Sequence, residues 1–206
     1  MLNKAIRAAR GTHLVFIDGD CIPSTHFLTD HWNERRERKV ILGRRAEMSQ
    51  RWSEELTPEK IRDGSFERLG WKELLESFRG EMFRFEDGIR ISSPLLRTLM
   101  RRKRGGMLGS NFSAAREDLV AVNGFDELYD GPGCGEDTDI EYRLSLIGVT
   151  GLLIRNLAIQ FHLHHPRTGT SQKSWDRFHL TVKNTDQPQC AHGIRKQDES
   201  VAVRHS

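Results

Sequence analysis

The run Leu14-Val15-Phe16-Ile17-Asp18-Gly19-Asp20-Cys21-Ile22-Pro23 constrains this chain more than any other stretch. Four apolar residues, two β-branched and one aromatic, lead straight into Asp-Gly-Asp. The run is too short for a helix and is stopped by Gly19 and Pro23, so it reads as a fully buried strand. In an open α/β sheet, ligands lie beyond the carboxyl ends of the strands, and Asp18 and Asp20 fall there. Two carboxylates at i and i+2 around a glycine can turn toward one point. Held that close they repel unless a cation lies between them, and oxygen ligands suit Mg²⁺ or Mn²⁺. Asp-Gly is also a common turn dipeptide, and a polar turn accounts for the triplet equally well.

At 206 residues the chain suits one domain, with or without a tail. Its formal charge of +3 is small but hides basic runs at 35–39 and 101–104. Those runs lack interleaved aromatics and no nucleic-acid motif accompanies them, so no nucleic-acid partner is expected. No stretch approaches the roughly 18–20 apolar residues of a membrane span. No continuous apolar run follows the N-terminal positive charges, as a signal peptide would require. Cys21, Cys134 and Cys190 are odd in number and far apart, which gives neither a disulfide framework nor a Cys-type zinc site. The expected location is cytoplasmic, with any membrane contact peripheral and at the inner face.

Hydrophobic spacing predicts a helix over 2–10, the strand 14–17, a helix from 23 or 24 to about 38, and a second buried strand at 40–43. This β-α-β alternation predicts an α/β fold. Residues 49–105 are charged, with helical segments near 58–61, 65–78 and 94–100, and read as an insertion over the ligand edge of the sheet. Within it Trp71, Leu74, Leu75 and Phe78 recur at helical spacing. The extended pattern resumes at 107–114, followed by a helix at 116–122, a Gly-rich turn at 130–135 and a helix at 136–146. Strands at 150–154 and 158–161 follow. The expected domain is 1–165, and 166–206 reads as a polar, partly disordered tail with at most a short helix at 174–182. Core packing is expected for Trp32 and Trp71, and Trp52 is the tryptophan nominated to stack on a sugar.

Four segments in order carry a family resemblance. Phe16-Ile17-Asp18-Gly19-Asp20-Cys21-Ile22-Pro23 resembles the metal-binding segment of family 2 glycosyltransferases. Gly109-Ser110-Asn111-Phe112-Ser113-Ala114-Ala115-Arg116 is similar to their acceptor-side strand and loop. Asn123-Gly124-Phe125-Asp126-Glu127 and Gly135-Glu136-Asp137-Thr138-Asp139 resemble their Gly-Phe-Asp-Glu and Gly-Glu-Asp motifs, in a galactosyltransferase-like C-terminal segment. The resemblance covers roughly residues 2–165 without the insertion. It implies a partial A-type glycosyltransferase (Rossmann-like) fold, with a mixed sheet flanked by helices. The family's N-terminal β-α-β-α-β unit, which holds the nucleotide, has no counterpart ahead of Leu2. The expectation is therefore half a donor site and an exposed sheet edge open to self-association.

The resemblance implies transfer of a sugar from a nucleotide sugar, such as a UDP-sugar, to a carbohydrate or lipid-linked acceptor. It implies a divalent cation, Mn²⁺ or Mg²⁺, held by Asp18 and Asp20, and an inverting reaction. Asp137 corresponds to the general base, and Glu136 would hold an acceptor hydroxyl or orient the loop. Both acids also suit a helix N-terminus on dipole grounds alone. Asn111 is expected on the donor-binding side. Related enzymes place a histidine after the last strand as a third metal ligand, which points to His162, His164 or His165. Alternation along an extended segment puts His162 and His164 on one face and favours that pair; exposed histidines opening a tail fit as well. The rival reading is a non-catalytic fragment that binds a sugar or a partner protein.

Overall fold

The computed structural model describes residues 1–99, 105–129, 135–166, 172–180 and 182–195. The expected turn at 130–134, with Cys134, and the basic run at 101–104 lie outside the described residues. Helix α1 (Leu2–Ala8) leads into β1 (His13–Ile17). After the Asp-Gly-Asp turn come a short strand β2 (Cys21–Pro23), helix α2 (Phe27–Glu34), β3 (Lys39–Leu42) and β4 (Arg45–Glu47). The region read as an insertion contains α3 (Gln50–Glu54), α4 (Pro58–Arg62), α5 (Trp71–Phe78) and α6 (Pro94–Leu99). The chain continues through β5 (Asn111–Ala115), α7 (Arg116–Ala121), α8 (Glu136–Leu146), β6 (Thr150–Leu153), β7 (Gln160–His162) and α9 (Gln172–Leu180).

The architecture is mixed α/β with two mixed sheets flanked by helices. One sheet has the order β1-β5-β3-β6, the other β2-β7-β4. In the larger sheet β5 runs antiparallel to both β1 and β3, and β6 runs parallel to β3. Among the described residues no strand pairs with the outer side of β1. In the smaller sheet β7 is antiparallel to β2 and parallel to β4. Neither β2 nor β4 was evident as a strand in the sequence, since each is three residues long.

The apolar run of β3 is continuous because both faces of the larger sheet are covered there, whereas edge strand β1 buries Phe16 and leaves Ile17 exposed. Phe16, Val40, Leu42, Phe112 and Ala114 face a core closed by Ile6, Leu119, Ile140 and Leu144 from helices α1, α7 and α8. Ile41 points the other way, to Phe27 of α2 and to Ile154 and Leu157, with Val15 alongside. A third core lies against the smaller sheet, where Ala46 and Phe161 pack on Trp52, Phe66 and Met82. Trp52, Phe66 and Met82 of the insertion are thus packed on the smaller sheet.

The burial of the tryptophans differs from expectation. Trp52 is buried, edge-on to Phe161 with centroids 5.4 Å apart, and offers no face to a sugar. Ser49 sets this orientation by capping α3 through Trp52 N–H at 3.1 Å. Trp32 is exposed, because the buried side of α2 carries Phe27, Asp30 and His31; the Arg35 guanidinium lies 3.5 Å over its ring. Trp71 is exposed too. The single helix expected over 65–78 is broken at Gly70.

Described residues of the polar tail, Cys190, Ile194 and Arg195 among them, are bonded to the rest of the chain. Asn123 sits in the left-handed region with φ 64°. Its Nδ2 donates to the carbonyls of Cys190 (2.7 Å) and Arg195 (2.8 Å), and its Oδ1 accepts Arg195 N–H at 2.8 Å. Arg7 donates to Ile194 O at 2.9 Å, tying α1 to the same segment. Among the described residues no helix is long and apolar enough to cross a membrane.

Helix α8 is fixed by a buried ion pair. Arg143 donates to Asp139 at 2.7 Å and to the carbonyls of Val122 (2.7 Å) and Gly124 (2.9 Å). Both side chains are almost wholly buried, so losing one partner strands the other charge. Asp139→Ala is therefore expected to lower unfolding free energy by about 3–5 kcal/mol. Urea denaturation measures this, and a loss below about 1 kcal/mol contradicts it.

Candidate functional site

The site forms where the two sheets meet, at the carboxyl end of β1. The chain leaves β1 through Asp18, Gly19 and Asp20 and at once enters β2 of the second sheet. Register then does the rest. Cys21 of β2 and Glu47 of β4 both lie opposite His162 of β7. The neighbouring positions Ile22, Ala46 and Phe161 point into the third core. Alternation therefore puts Cys21, Glu47 and His162 together on the other face.

Three groups converge there. Asp20 Oδ2 lies 3.4 Å from His162 Nε2 and 3.3 Å from His165 Nε2, and the two Nε2 atoms are 3.2 Å apart. His162 Nδ1 meets Glu47 Oε2 at 2.7 Å, and His165 Nδ1 meets Pro166 O at 3.0 Å. A carboxylate and a carbonyl only accept, so Nδ1 carries the hydrogen in both rings. In the neutral rings both Nε2 atoms are lone pairs, and they face each other and a carboxylate oxygen. Such a knot of lone pairs is repulsive unless a proton or a cation sits within it.

The donor set fits a divalent cation. Adjacent ligands on a cation with bonds of about 2.0–2.3 Å lie about 3–3.5 Å apart. Two imidazoles and one carboxylate suit Mn²⁺ better than Mg²⁺, which prefers oxygen. Glu47 orients His162 from behind and is itself paired to Arg45 at 2.9 Å. Cys21 Sγ donates to Asp20 Oδ1 at 3.5 Å, which leaves Oδ2 toward the histidines. Burial pushes the Cys21 thiol up to about 12, so it stays protonated.

The expected metal set was Asp18, Asp20, His162 and His164. Asp20 and His162 lie in the cluster; Asp18 and His164 do not, and His165 takes the third place. Strand alternation does not reach His164 because β7 stops at His162. Beyond it Leu163 packs against the third core and His164 N–H binds Ser53 Oγ at 2.9 Å, so His165 is the residue that comes back. Asp18 stands beside the cluster. Burial raises its carboxyl, Asp20 adds to the effect, and Arg45 and His162 oppose it. Burial works on Asp20 too, but His162, the Cys21 thiol and His165 bring its carboxyl below the ordinary value.

Asp137 opens α8 on the same side, close enough to feel Asp18 and Arg45. Its Oδ2 accepts Gly109 N–H at 2.7 Å, and one turn later Glu141 accepts Met107 N–H at 2.8 Å. The loop before β5 is thus held against α8 by two acids. Gly109 is required, since a Cβ there would run into the Asp137 carboxylate. Burial, and then Glu136, raise the Asp137 carboxyl to about 7. Asn111, expected at the donor, is fully buried, with its amide committed to Arg44 O (2.7 Å) and Ala158 O (2.8 Å). Arg45 and Glu47 were missed from sequence. The one signal was alternation, with both flanking the buried Ala46.

A cavity of about 680 Å³ opens from His162 and His165 toward the insertion, where Arg51, Glu81 and Phe83 line it. No protein-family model matches the chain, and no curated protein sequence matches it.

The raised Asp137 carboxyl has a sign for stability. The folded state keeps a proton that the unfolded chain loses above its ordinary value of 3.8. Stability from this group is therefore greatest below about pH 4, falls as pH rises to about 7, and levels off beyond. Asp137→Asn removes the penalty. Partial exposure discounts the shift, and a gain of about 1–3 kcal/mol is expected near pH 8 and almost none near pH 4. Paired urea melts at the two pH values measure it, and an equal change at both would contradict the assignment.

Proposed function

We propose that this chain is a metal-dependent glycosyltransferase of the A-type fold, moving a sugar from a nucleotide sugar to a carbohydrate or lipid-linked acceptor. One observation carries the reading: Asp20, His162 and His165 converge at the carboxyl end of β1, and Asp137 is close enough to Asp18 to feel its charge. That pairs a cation site with a carboxyl poised near neutrality, the two devices that sugar transfer needs. The resemblance of four ordered motifs to family 2 glycosyltransferases supports it independently.

Asp20, His162 and His165 would hold Mn²⁺. When bound, such a cation supplies Lewis-acid stabilisation of a departing diphosphate. Glu47 fixes the tautomer of His162, so that Nε2 offers its lone pair. Asp18 would act from beside the cluster, through water. Asp137 takes the proton of the acceptor hydroxyl, and Gly109 N–H holds its Oδ2 so that the carboxylate keeps one orientation. A carboxyl near 7 matches this task, since it is deprotonated often enough to act and basic enough to accept. Glu136 stands next to it, to orient the loop or an acceptor hydroxyl. The cavity lined by Arg51 and Phe83 is large enough for a sugar residue beside the cluster.

Calorimetric titration with Mn²⁺ tests the cation site. Asp20→Ala and His162→Ala should abolish binding, Glu47→Gln should weaken it about 10–100-fold, and His164→Ala should leave it unchanged. Equal losses in His164→Ala and His162→Ala would remove the proposed ligand set. Transfer assays with nucleotide sugars test the base. Asp137→Asn should cost about 10²-fold or more in turnover with little change in donor affinity. Near wild-type turnover would move the base to another residue, Glu136 first.

A further inference from the structure

Helix α5 turns its acids inward and its apolar residues outward. Glu76 is buried and accepts Ser49 Oγ–H at 2.7 Å, and it pairs with Arg51. Glu73 pairs with the same arginine at 3.0 Å and accepts Gly70 N–H at 2.8 Å. These contacts fix the rotation of the helix about its axis. Left outside are Trp71 (80% exposed), Leu75 (51%) and Phe78 (81%). They stand at i, i+4 and i+7 and so form one stripe. Lys72 and Arg79 are exposed beside it, and Arg68 is exposed just before the helix. Every exposed side chain from Trp71 to Arg79 is therefore apolar or basic.

We infer that α5 seats the chain on an anionic phospholipid surface. The exposed charges of the helix segment itself, Lys72 and Arg79, are positive and complement lipid phosphates; acids are exposed only at its margins, Glu55 near Lys72 and Glu81 just past Arg79. Lysine and arginine stems can lie along apolar surface while their heads reach the phosphates. Tryptophan and phenylalanine suit the boundary between headgroups and acyl chains. Eight residues cannot cross a bilayer, so the helix lies in the interface plane. Helix α6 of the same insertion also exposes Leu95, Leu96 and Leu99. Just past α5, Gly80, Glu81 and Phe83 line the cavity that reaches His162 and His165. Seating α5 on lipid would bring the cavity to an acceptor carried in the bilayer. That consequence rests on the transferase reading; the lipid contact does not.

The test is sedimentation of the full chain with vesicles of phosphatidylcholine, alone or mixed with phosphatidylglycerol, without Mn²⁺ or donor. Binding is expected on the mixed vesicles, about tenfold weaker on the neutral ones, and weakened by salt. Trp71→Ser/Phe78→Ser and Lys72→Glu/Arg79→Glu should each lose about tenfold or more, and Leu28→Ser, an exposed residue on α2, should lose nothing. Circular dichroism should be unchanged in all variants, since the inward contacts of Glu73 and Glu76 remain. Absence of binding to mixed vesicles, equal binding to neutral ones, or full binding by Trp71→Ser/Phe78→Ser overturns the inference. So does a concentration-dependent dimer that this variant abolishes, which would give the stripe to a second copy. Because no cation or sugar is present, binding can succeed where transfer fails, and the two readings fall separately.

Discussion

One buried amide joins the two sheets. Asn111 Nδ2 donates to Arg44 O, in the turn from β3 to β4, and to Ala158 O, just ahead of β7. Two of the three connections from the larger sheet to the smaller, β3 to β4 and β6 to β7, are therefore tied to the first residue of β5. With both Nδ2 hydrogens used, Oδ1 must accept, so His31 donates from Nε2 at 3.1 Å. His31 Nδ1 is then an acceptor and takes the Ser113 hydroxyl at 2.9 Å. Ser113 Oγ in turn accepts from His13 Nε2 at 2.9 Å. Each group has one consistent role along the chain, assigned from the network itself. Burial holds His31 neutral, down to about 4, so the arrangement does not charge near neutrality.

The site inherits its geometry from this junction. Arg44 is followed by β4, which carries Arg45 and Glu47, and Ala158 is followed by β7, which carries His162. If the junction shifted, the Glu47–His162 contact would shift with it. Gly43 shows how closely the parts approach, since a Cβ there would overlap the Asn111 amide. The residue expected to touch a ligand instead sets where the ligand-facing strands lie.

Local patterns were legible and rotations were not. The strand 14–17, helix 136–146 and the Asp-Gly-Asp turn depend on short-range spacing, and the structure has them where spacing puts them. Burial on both faces explains why β3 reads as a continuous apolar run; β1, expected to be fully buried, lies at the sheet edge, buries Phe16 and leaves Ile17 exposed. The stripe of Trp71, Leu75 and Phe78 was equally visible, but its direction is decided by Arg51, twenty residues away, which draws Glu73 and Glu76 inward. Trp71 is exposed rather than packed in the core for this reason. Likewise His165 replaced His164 because β7 ends at His162, and the end of a three-residue strand leaves no mark in the sequence. Glu47 is a neighbour of His162 only through a parallel pairing across 115 residues.

The two kinds of carboxylate around the cluster illustrate what environment adds to residue type. Asp20 sits between two imidazoles and a thiol, and its carboxyl is held below the ordinary range despite partial burial. Asp137 is partly buried, with one backbone N–H and a neighbouring glutamate, and its carboxyl rises to about 7. An acid that stays ionised is suited to hold a cation, and an acid that titrates near neutrality is suited to move a proton. On the proposed reading the division of labour follows from this difference. It also implies a conflict within the fold. The burial that would make Asp137 a usable base is the burial that destabilises its charged form, so on that reading activity and stability would draw on the same group in opposite directions.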